Sequence, residues 1–225
     1  MTIIRGTSMG KFRKHLNKKK WFHGTTLSAW RQICDKRIQV KHNIGNELDF
    51  GYGFYLTNKR EQAEKYISDL IKLKQEAPDL SEFLETADTK EDNIPIVIEF
   101  EFCPLEWYEN TSLNFGIYNS YDDSFAEFVF HNRLNNINGE DHHSYDVIFG
   151  VMSDSAPTTL ILDYKKGYLG KEQVIEGLKK STSNKQLTIH KQELCDKLSV
   201  SRVYCVFDGE ELDYSEYSNF EQLKR

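Results

Sequence analysis

The sequence predicts an α+β protein with a largely antiparallel β-sheet core and flanking helices. Strand-like and helical stretches mix along 225 residues, strands are more frequent, and no internal repeat is visible. The clearest strand is 94–102, where a continuous apolar run changes to strict alternation before Pro104 ends it. A clear helix follows Asn58, because apolar residues recur every three or four positions from Ala63 to Leu70.

Composition limits the class of protein. Apolar residues make up 39% of the chain and aromatic residues 13%, as in globular proteins. No apolar run reaches the length of a membrane span, and the N-terminus lacks the apolar core of a secretory signal. The four cysteines are scattered without paired spacing, so we expect reduced thiols in a cytoplasmic protein and no metal site.

Charge divides the chain into three parts. The net charge is −6, but residues 1–20 hold seven of the 29 basic residues and no acid, which leaves −13 for the rest. We therefore predict a basic N-terminal arm at 1–20, a folded domain at 21–207 and an acidic C-terminal tail at 208–225. The acidic body disfavours broad coating of nucleic acid. The arm is expected to be solvated, and to contact an acceptor molecule or an inhibitory partner.

The most informative stretch is DFGYGFYLT, which begins at Asp49. Gly51 and Gly53 indicate a turn in which the backbone takes positive φ or approaches a ligand closely. Tyr52 between them is expected to be exposed near a rim. Residues 54–56 have the composition of a short strand that leaves this turn.

Two helix starts can be predicted from capping residues. Asn58 and Glu61 have the spacing of a capping box ahead of the helix that contains Ala63. Thr26 is expected to cap a second helix directly after a strand at 21–25. The inward residues of that second helix are predicted to be Leu27, Trp30 and Cys34.

Further elements follow from apolar periodicity along the chain. The predicted strands are 38–40, 145–152, 186–190 and 201–207, and the predicted helices are 81–85, 123–134 and 172–180.

The strand ending His23-Gly24-Thr25, followed by Gly53-Phe54-Tyr55 and a helix with a second tyrosine, resembles the ADP-ribosyltransferase superfamily. The likeness is to the His-Tyr type, which includes the poly-ADP-ribose polymerases and diphtheria toxin. Tyr66 lies eleven residues after Tyr55, the interval between the two nicotinamide-stacking tyrosines of the polymerases. The resemblance covers about 21–207 and implies a split, mainly antiparallel sheet that holds NAD between its halves.

The resemblance also implies roles for individual residues. His23 would anchor the ribose and adenosine side of NAD, and Gly24 and Thr25 would contribute to the same site, with the Gly24 backbone facing the carboxamide. Tyr55 and Tyr66 would stack on nicotinamide. A strand-end histidine bonded only to backbone, and a Tyr66 that packs only in the core, are the structural alternatives.

The third catalytic residue of this superfamily is usually a glutamate on a late strand, sometimes glutamine or aspartate. The chain is similar to a group of uncharacterised bacterial proteins with an acid before an Asn-Arg pair, a buried Asp-apolar-Gly strand and a late glutamine. Those features correspond here to Glu127 with Asn132 and Arg133, to 146–150, and to Gln186. Gln186 is therefore expected to be the third catalytic residue. Glu127 would support the site or activate the acceptor.

ADP-ribosyl transfer breaks the nicotinamide–ribose bond through an oxocarbenium-like transition state, so a site must hold nicotinamide, orient the ribose and stabilise positive charge. The implied function is an NAD-dependent mono-ADP-ribosyltransferase acting on a protein or nucleic acid. Bacterial toxins and phage-defence effectors are the implied context, with an antitoxin or inhibitory protein as a possible partner.

Two other functions stay open. Because an amide cannot act as a general base, Gln186 is also compatible with a non-catalytic module that binds NAD or a partner. An RNA 2′-phosphotransferase-like enzyme would need a basic active site, which the acidic body disfavours. Ala63 stands where many polymerases have a serine that holds the carboxamide, so weaker NAD affinity is expected.

Overall fold

The computed structural model describes residues 9–43, 48–76, 90–110, 112–135, 143–153 and 157–212. The described chain has the predicted α+β class, with two open sheets and helices around them. Its helices are α1 Met9–Leu16, α2 Leu27–Lys36, α3 Arg60–Glu76, α4 Pro104–Glu109, α5 Asp123–Asn135, α6 Pro157–Lys165, α7 Lys171–Leu178 and α8 Gln192–Cys195. Its strands are β1 Lys20–Thr26, β2 Phe54–Leu56, β3 Pro95–Glu101, β4 Phe115–Tyr118, β5 Val147–Ser153, β6 Ser181–Ile189 and β7 Val200–Cys205. The predicted helix 81–85 lies outside the described residues.

A three-stranded antiparallel sheet has the order β1-β3-β7. Its central strand β3 is buried on both faces from Pro95 to Phe100, which explains the apolar run in the sequence. Glu99 is the acid within this run. Its carboxylate pairs with Lys20 Nζ at 2.7 Å and accepts from the hydroxyls of Ser201 and Tyr204, so its charge is compensated.

A four-stranded sheet has the order β2-β6-β5-β4. Strand β6 runs antiparallel to both of its neighbours, while β4 runs parallel to β5. Strand β4 is not predicted from the sequence, because its four residues are too few to show an alternating pattern. The sheet is therefore mainly antiparallel with one parallel edge.

The two sheets meet along their edge strands. Phe22 and Thr57 exchange both backbone hydrogen bonds, at 2.7 and 2.9 Å, and form an isolated bridge between β1 and the end of β2. Inward side chains of both sheets share the main hydrophobic core with α1 and α2. A second core fills the outer face of the four-stranded sheet under α5, α6 and α7.

The helix caps agree with one prediction and correct another. Thr26 Oγ1 accepts from Ala29 N at 3.2 Å, and Trp30 and Cys34 are buried, as predicted for α2. The capping box predicted for α3 is wrong. The Asn58 amide instead contacts His15 Nδ1, because α1 lies close by, and Thr57 Oγ1 accepts from Lys59 N.

The predicted strand at 38–40 is also wrong, although its apolar residues Ile38 and Val40 are buried. The Gln192 side chain accepts from Val40 N and donates to Ile38 O, at 3.2 and 2.7 Å. One side-chain amide thus replaces the neighbouring strand that the apolar alternation would otherwise require. Tyr52, expected near a rim, is buried beside His190.

Both ends of the predicted domain extend further than expected. Phe12 and Leu16 on α1 are 5% and 0% exposed and belong to the main core, so α1 packs on the folded domain through these two side chains. Near the other end, Leu212 N donates to Val203 O at 2.9 Å, which returns the start of the tail to the edge of β7. None of the described helices has the length and apolar character needed to cross a membrane.

Candidate functional site

A cleft of about 450 Å³ opens where β1 and β2 diverge beyond the Phe22–Thr57 bridge. Its volume lies in the range of small-molecule sites. The residues predicted from the sequence that line it are His23, Gly24, Thr25, Tyr55, Tyr66 and Gln186. Strand β6, which carries Gln186, pairs with β2, and this pairing brings the late residue beside the early ones.

His23 links the two edge strands through its side chain. Its Nδ1 lies 2.8 Å from the carbonyl oxygen of Tyr55. A carbonyl only accepts, so Nδ1 carries the proton and Nε2 is left as an acceptor. Burial lowers the pKa of His23 to about 4, so the ring is neutral at pH 7.

Gly24 presents backbone polar groups to the cleft. In β1 the N–H and C=O of alternate residues point to the same side, and those of Phe22 already bond Thr57 across the junction. Gly24 therefore directs its N–H and C=O away from β3 and toward the opening. A Cβ on Gly24 would lie 2.4 Å from the carbonyl oxygen of Ala63, so only glycine lets α3 pack this closely.

Tyr55 fixes the glycine turn. Its hydroxyl donates to Gly51 O at 2.7 Å and accepts from Phe50 N at 3.0 Å. Gly51 and Gly53 have φ values of +77° and +155°, as the sequence predicts. Burial raises the pKa of Tyr55, and its hydroxyl is already occupied, which leaves the ring as the part available to a ligand.

Tyr66 faces the open cleft instead of the core. Its side chain is 51% exposed, while Ala63, Ile67 and Ile71 carry the packing of α3. The alternative in which Tyr66 is only a core residue is therefore wrong. An aromatic ring held at the wall of a cleft by a rigid helix is suited to stacking on a planar ligand.

A buried ion pair forms the base of the cleft. Asp49 accepts from Arg133 Nη2 at 2.6 Å and from Arg133 Nε at 2.7 Å, and both residues line the cleft. The Asn132 amide donates to the backbone carbonyl of Asp49 at 3.2 Å. The Asn-Arg pair noted in the sequence thus holds Asp49 by its backbone and by its carboxylate.

This ion pair orients Gln186. Gln186 Nε2 donates to Asp49 Oδ2 at 3.4 Å, and Gln186 is buried. Because an ionised carboxylate only accepts, the amide nitrogen must face Asp49. The Gln186 Oε1 atom is then left to accept a hydrogen bond from a ligand.

Glu127 is not brought to the cleft. It lies on an exposed face of α5, where its carboxylate pairs with Lys171 at 2.8 Å and His131 at 3.3 Å. The role predicted for Glu127 beside an acceptor therefore lacks the proximity it needs. Helical periodicity explains the displacement, since Phe125, Val129 and Arg133 occupy the buried faces of the same helix.

Asp49 and Arg133 are the functional candidates that sequence reasoning did not single out. Asp49 was noted only as the start of the glycine stretch, and Arg133 only as part of a pattern. Their 84-residue separation hides the pairing from any local signal. In the described part of the chain, no cluster of three or more His, Cys, Asp or Glu residues could hold a metal ion.

Comparisons with known proteins identify a family. Neither the curated proteins nor the solved structures contain a significant match to the chain. One family model matches residues 22–200, a span that contains the cleft residues described above. The chain belongs to the family described as "Protein of unknown function (DUF3990)".

Proposed function

We propose that the protein is an NAD-dependent mono-ADP-ribosyltransferase that acts on a macromolecular acceptor. The observation that carries the proposal is the meeting of His23, Gly24, Tyr66 and Gln186 in one cleft beside the Tyr55 turn. Together with Tyr55, these residues come from four separate elements, β1, β2, α3 and β6. Their polar atoms complement a nicotinamide riboside better than an apolar ligand.

Gly24 and Tyr66 suit the nicotinamide end. A carboxamide has one donor and one acceptor group, and the N–H and C=O of Gly24 offer the complementary pair on the open side of β1. Tyr66 would stack on the ring, a contact worth about 0.5–1.5 kcal/mol beyond burial. Ala63 supplies no hydroxyl here, which supports weaker binding than a serine would allow.

His23 and Gln186 suit the ribose. His23 Nε2 is an acceptor, because Nδ1 donates to Tyr55. Gln186 Oε1 is an acceptor, because its Nε2 donates to Asp49. Two fixed acceptors can hold ribose hydroxyls and place partial negative charge beside the anomeric carbon as positive charge develops there.

Bound NAD supplies the bond that breaks, with nicotinamide leaving with the electron pair and an acceptor nucleophile bonding to the anomeric carbon. Asp49 is engaged by Arg133 and Gln186, so it acts on the orientation of Gln186 rather than as a base. The two sheets meet at one pair of edge residues, and the resemblance in the sequence implies a split sheet. This arrangement supports the proposal.

The test is release of nicotinamide and transfer of label from NAD labelled in its adenosine part to lysate macromolecules. We expect both with the full chain, and neither with the His23→Ala variant. Glu127→Gln is the matched control, because that acid lies outside the cleft. If the unmodified chain gives neither product, the proposed activity is wrong.

A non-catalytic NAD-binding module is the second candidate, and the Gln186 amide is the observation that favours it. Calorimetry with NAD separates the two functions. Saturable binding that depends on His23, without release of nicotinamide, would identify a binding module. A toxin or defence context predicts that expression slows bacterial growth and that His23→Ala relieves it.

A further inference from the structure

A cationic surface lies where α1, the start of α3 and β6 come together. Its members, which we call the lysine surface, are Lys14, His15, Lys18, Lys59 and Lys185. Lys14, Lys18 and Lys59 are exposed, and Lys185 is partly buried. His15 lies between Lys14 and Lys18 in the chain and contacts Asn58, which precedes Lys59, and Lys59 contacts Asn184, which precedes Lys185. Burial lowers the pKa of His15, and the charges of these lysines lower it further.

Three of these groups are positioned by asparagines. The Asn58 amide contacts His15 Nδ1 at 3.3 Å, and Lys59 Nζ donates to Asn184 Oδ1 at 3.4 Å. Lys185 Nζ donates to the side chain and the backbone carbonyl of Asn119, at 3.0 and 3.3 Å. A neutral amide orients a cation without cancelling its charge.

Several other described lysines are held differently. Lys20, Lys65, Lys171, Lys179 and Lys191 each pair with a carboxylate. Within the described residues, Lys14, Lys18 and Lys185 form no such ion pair. In the same part of the molecule, Lys19, Lys166 and Lys180 likewise have no such pair, in a chain whose residues after 20 carry a net charge of −13. The lysine surface therefore groups three lysines without a carboxylate partner among the described residues, Lys14, Lys18 and Lys185, beside Lys59.

The lysine surface borders the cleft. Lys185 precedes Gln186, and Lys59 follows Thr57 by two positions, and both Gln186 and Thr57 line the cleft. Gln62, another lining residue, donates through Nε2 to the backbone carbonyl of Lys185 at 3.3 Å. A molecule held by these cations would extend across the end of the cleft that contains Gln186.

We propose that the lysine surface binds the sugar–phosphate backbone of a single-stranded nucleic acid and presents it to the cleft as the acceptor. The acceptor role rests on the proposed function, whereas the binding does not. Lysine contacts phosphate as a point charge from any direction, so these side chains can follow the backbone of a flexible strand. The three asparagines add donors and acceptors for sugars and bases.

The lysine surface is small and lies on an otherwise acidic molecule, which favours a single-stranded nucleic acid over an acidic protein or a duplex. A folded acidic protein would cover about 800 Å² of this molecule and meet its acidic body as well. A slender strand touches only the lysine surface and the rim. In a duplex the bases are stacked and paired, so their reactive atoms would not reach the cleft.

The test uses fluorescence anisotropy of the full chain with labelled single-stranded DNA and RNA of about 12 nucleotides. NAD is absent, so the result does not depend on catalysis. If four lysines each contact a phosphate, the logarithm of the association constant should fall linearly with the logarithm of the salt concentration. Each contact contributes roughly −0.7 to the slope for a single strand, so the slope should be about −3. Lys14→Gln/Lys18→Gln should flatten the slope by about 1.4 and weaken binding about tenfold at low salt.

Lys165→Gln/Lys166→Gln is the matched control, since it removes two charges from the end of α6, which packs against α5 and α7. It should leave both the affinity and the slope unchanged. Equal losses in the two double variants, or no binding by the unmodified chain, would overturn the proposal. Equally tight binding of polyglutamate through the same lysines would identify an acidic protein as the partner instead.

His15 gives a second readout that a purely structural contact would not move. His15 lies between Lys14 and Lys18 in the chain and contacts Asn58, so the phosphates of a bound strand should raise its pKa in an NMR titration. Failures can be told apart. Binding of single-stranded nucleic acid without release of nicotinamide would contradict only the proposed function. If label is transferred to protein and Lys14→Gln/Lys18→Gln does not change this transfer, only the inference about the lysine surface is wrong.

Discussion

A carboxylate that accepts a hydrogen bond sets the orientation of a glutamine amide, and Asp49 does this for Gln186. Gln186→Ala removes one preorganised acceptor and should lower transfer by about 10²–10³. Nicotinamide release measured by chromatography checks this, with Glu127→Gln as the variant expected to behave like the unmodified chain. An unaffected Gln186→Ala together with an inactive Glu127→Gln would reverse the two assignments.

Gln186→Glu tests the contact between position 186 and Asp49 by adding a charge instead of removing the side chain. The new carboxyl would lie near Asp49, and repulsion between like charges should raise its pKa. The ionised form stabilises the developing cation better than an amide, so activity should match or exceed that of the unmodified chain only at higher pH. The rate profile between about pH 5 and 9 checks this. A pH-independent rate would show that the two groups do not interact.

The lowered pKa of His23 predicts that the free energy of unfolding decreases in acid. Its pKa is about 4 in the folded chain, against 6.5 for an exposed ring, so the unfolded state binds the proton more readily between these values. Unfolding should therefore become easier as pH falls from about 6.5 to about 4, by at most about 3 kcal/mol from this residue. Urea unfolding of the full chain and His23→Gln checks this. Equal losses in both proteins would assign the effect elsewhere.

At the scale of elements, α3 packs directly on β1 at Gly24. Gly24→Ala places a methyl group 2.4 Å from the Ala63 carbonyl oxygen, a backbone atom that cannot move alone. We expect destabilisation at the upper end of about 1–3 kcal/mol, and loss of NAD binding because α3 carries Tyr66. Gly170→Ala is the matched control, since its methyl group would be 3.6 Å from the nearest atom. Calorimetry and urea unfolding measure both effects.

The Asp49–Arg133 pair joins the glycine turn to α5. Asp49→Ala would leave a buried guanidinium without its counter-charge and should cost about 3–5 kcal/mol in urea unfolding. The double variant Asp49→Leu/Arg133→Met removes both charges and should recover most of that stability. It should not recover activity, because the Gln186 amide is no longer oriented. Recovery of activity by the double variant would exclude this positioning role.

At the scale of the whole molecule, deletions of different length in the basic arm should have different effects. Deletion of residues 2–17 removes Phe12 and Leu16 from the main core and should cost about 5 kcal/mol or more, a large share of a typical domain's stability. Nicotinamide release and transfer should then be lost together. Deletion of residues 2–8 leaves α1 complete and should preserve nicotinamide release. Circular dichroism and product assays distinguish these outcomes.

Several features could be predicted from the sequence because the signals are local. The positive φ of Gly51 and Gly53, the Thr26 cap and the buried strand β3 each depend on residues close together in the chain. The α+β class follows from the mixture of these periodicities. Six of the residues that line the cleft could also be named, since two short motifs contain His23, Gly24, Thr25 and Tyr55.

Tertiary structure alone decided the rest, because those outcomes depend on contacts between residues far apart in the chain. The sequence could not show that Arg133 reaches Asp49, that Glu127 points away from the cleft, or that Tyr52 is buried. Nor could it show that Asn184, Asn119 and Asn58 would contact Lys59, Lys185 and His15, respectively. Periodicity predicts which face of an element is buried, but packing chooses the residues that this face meets.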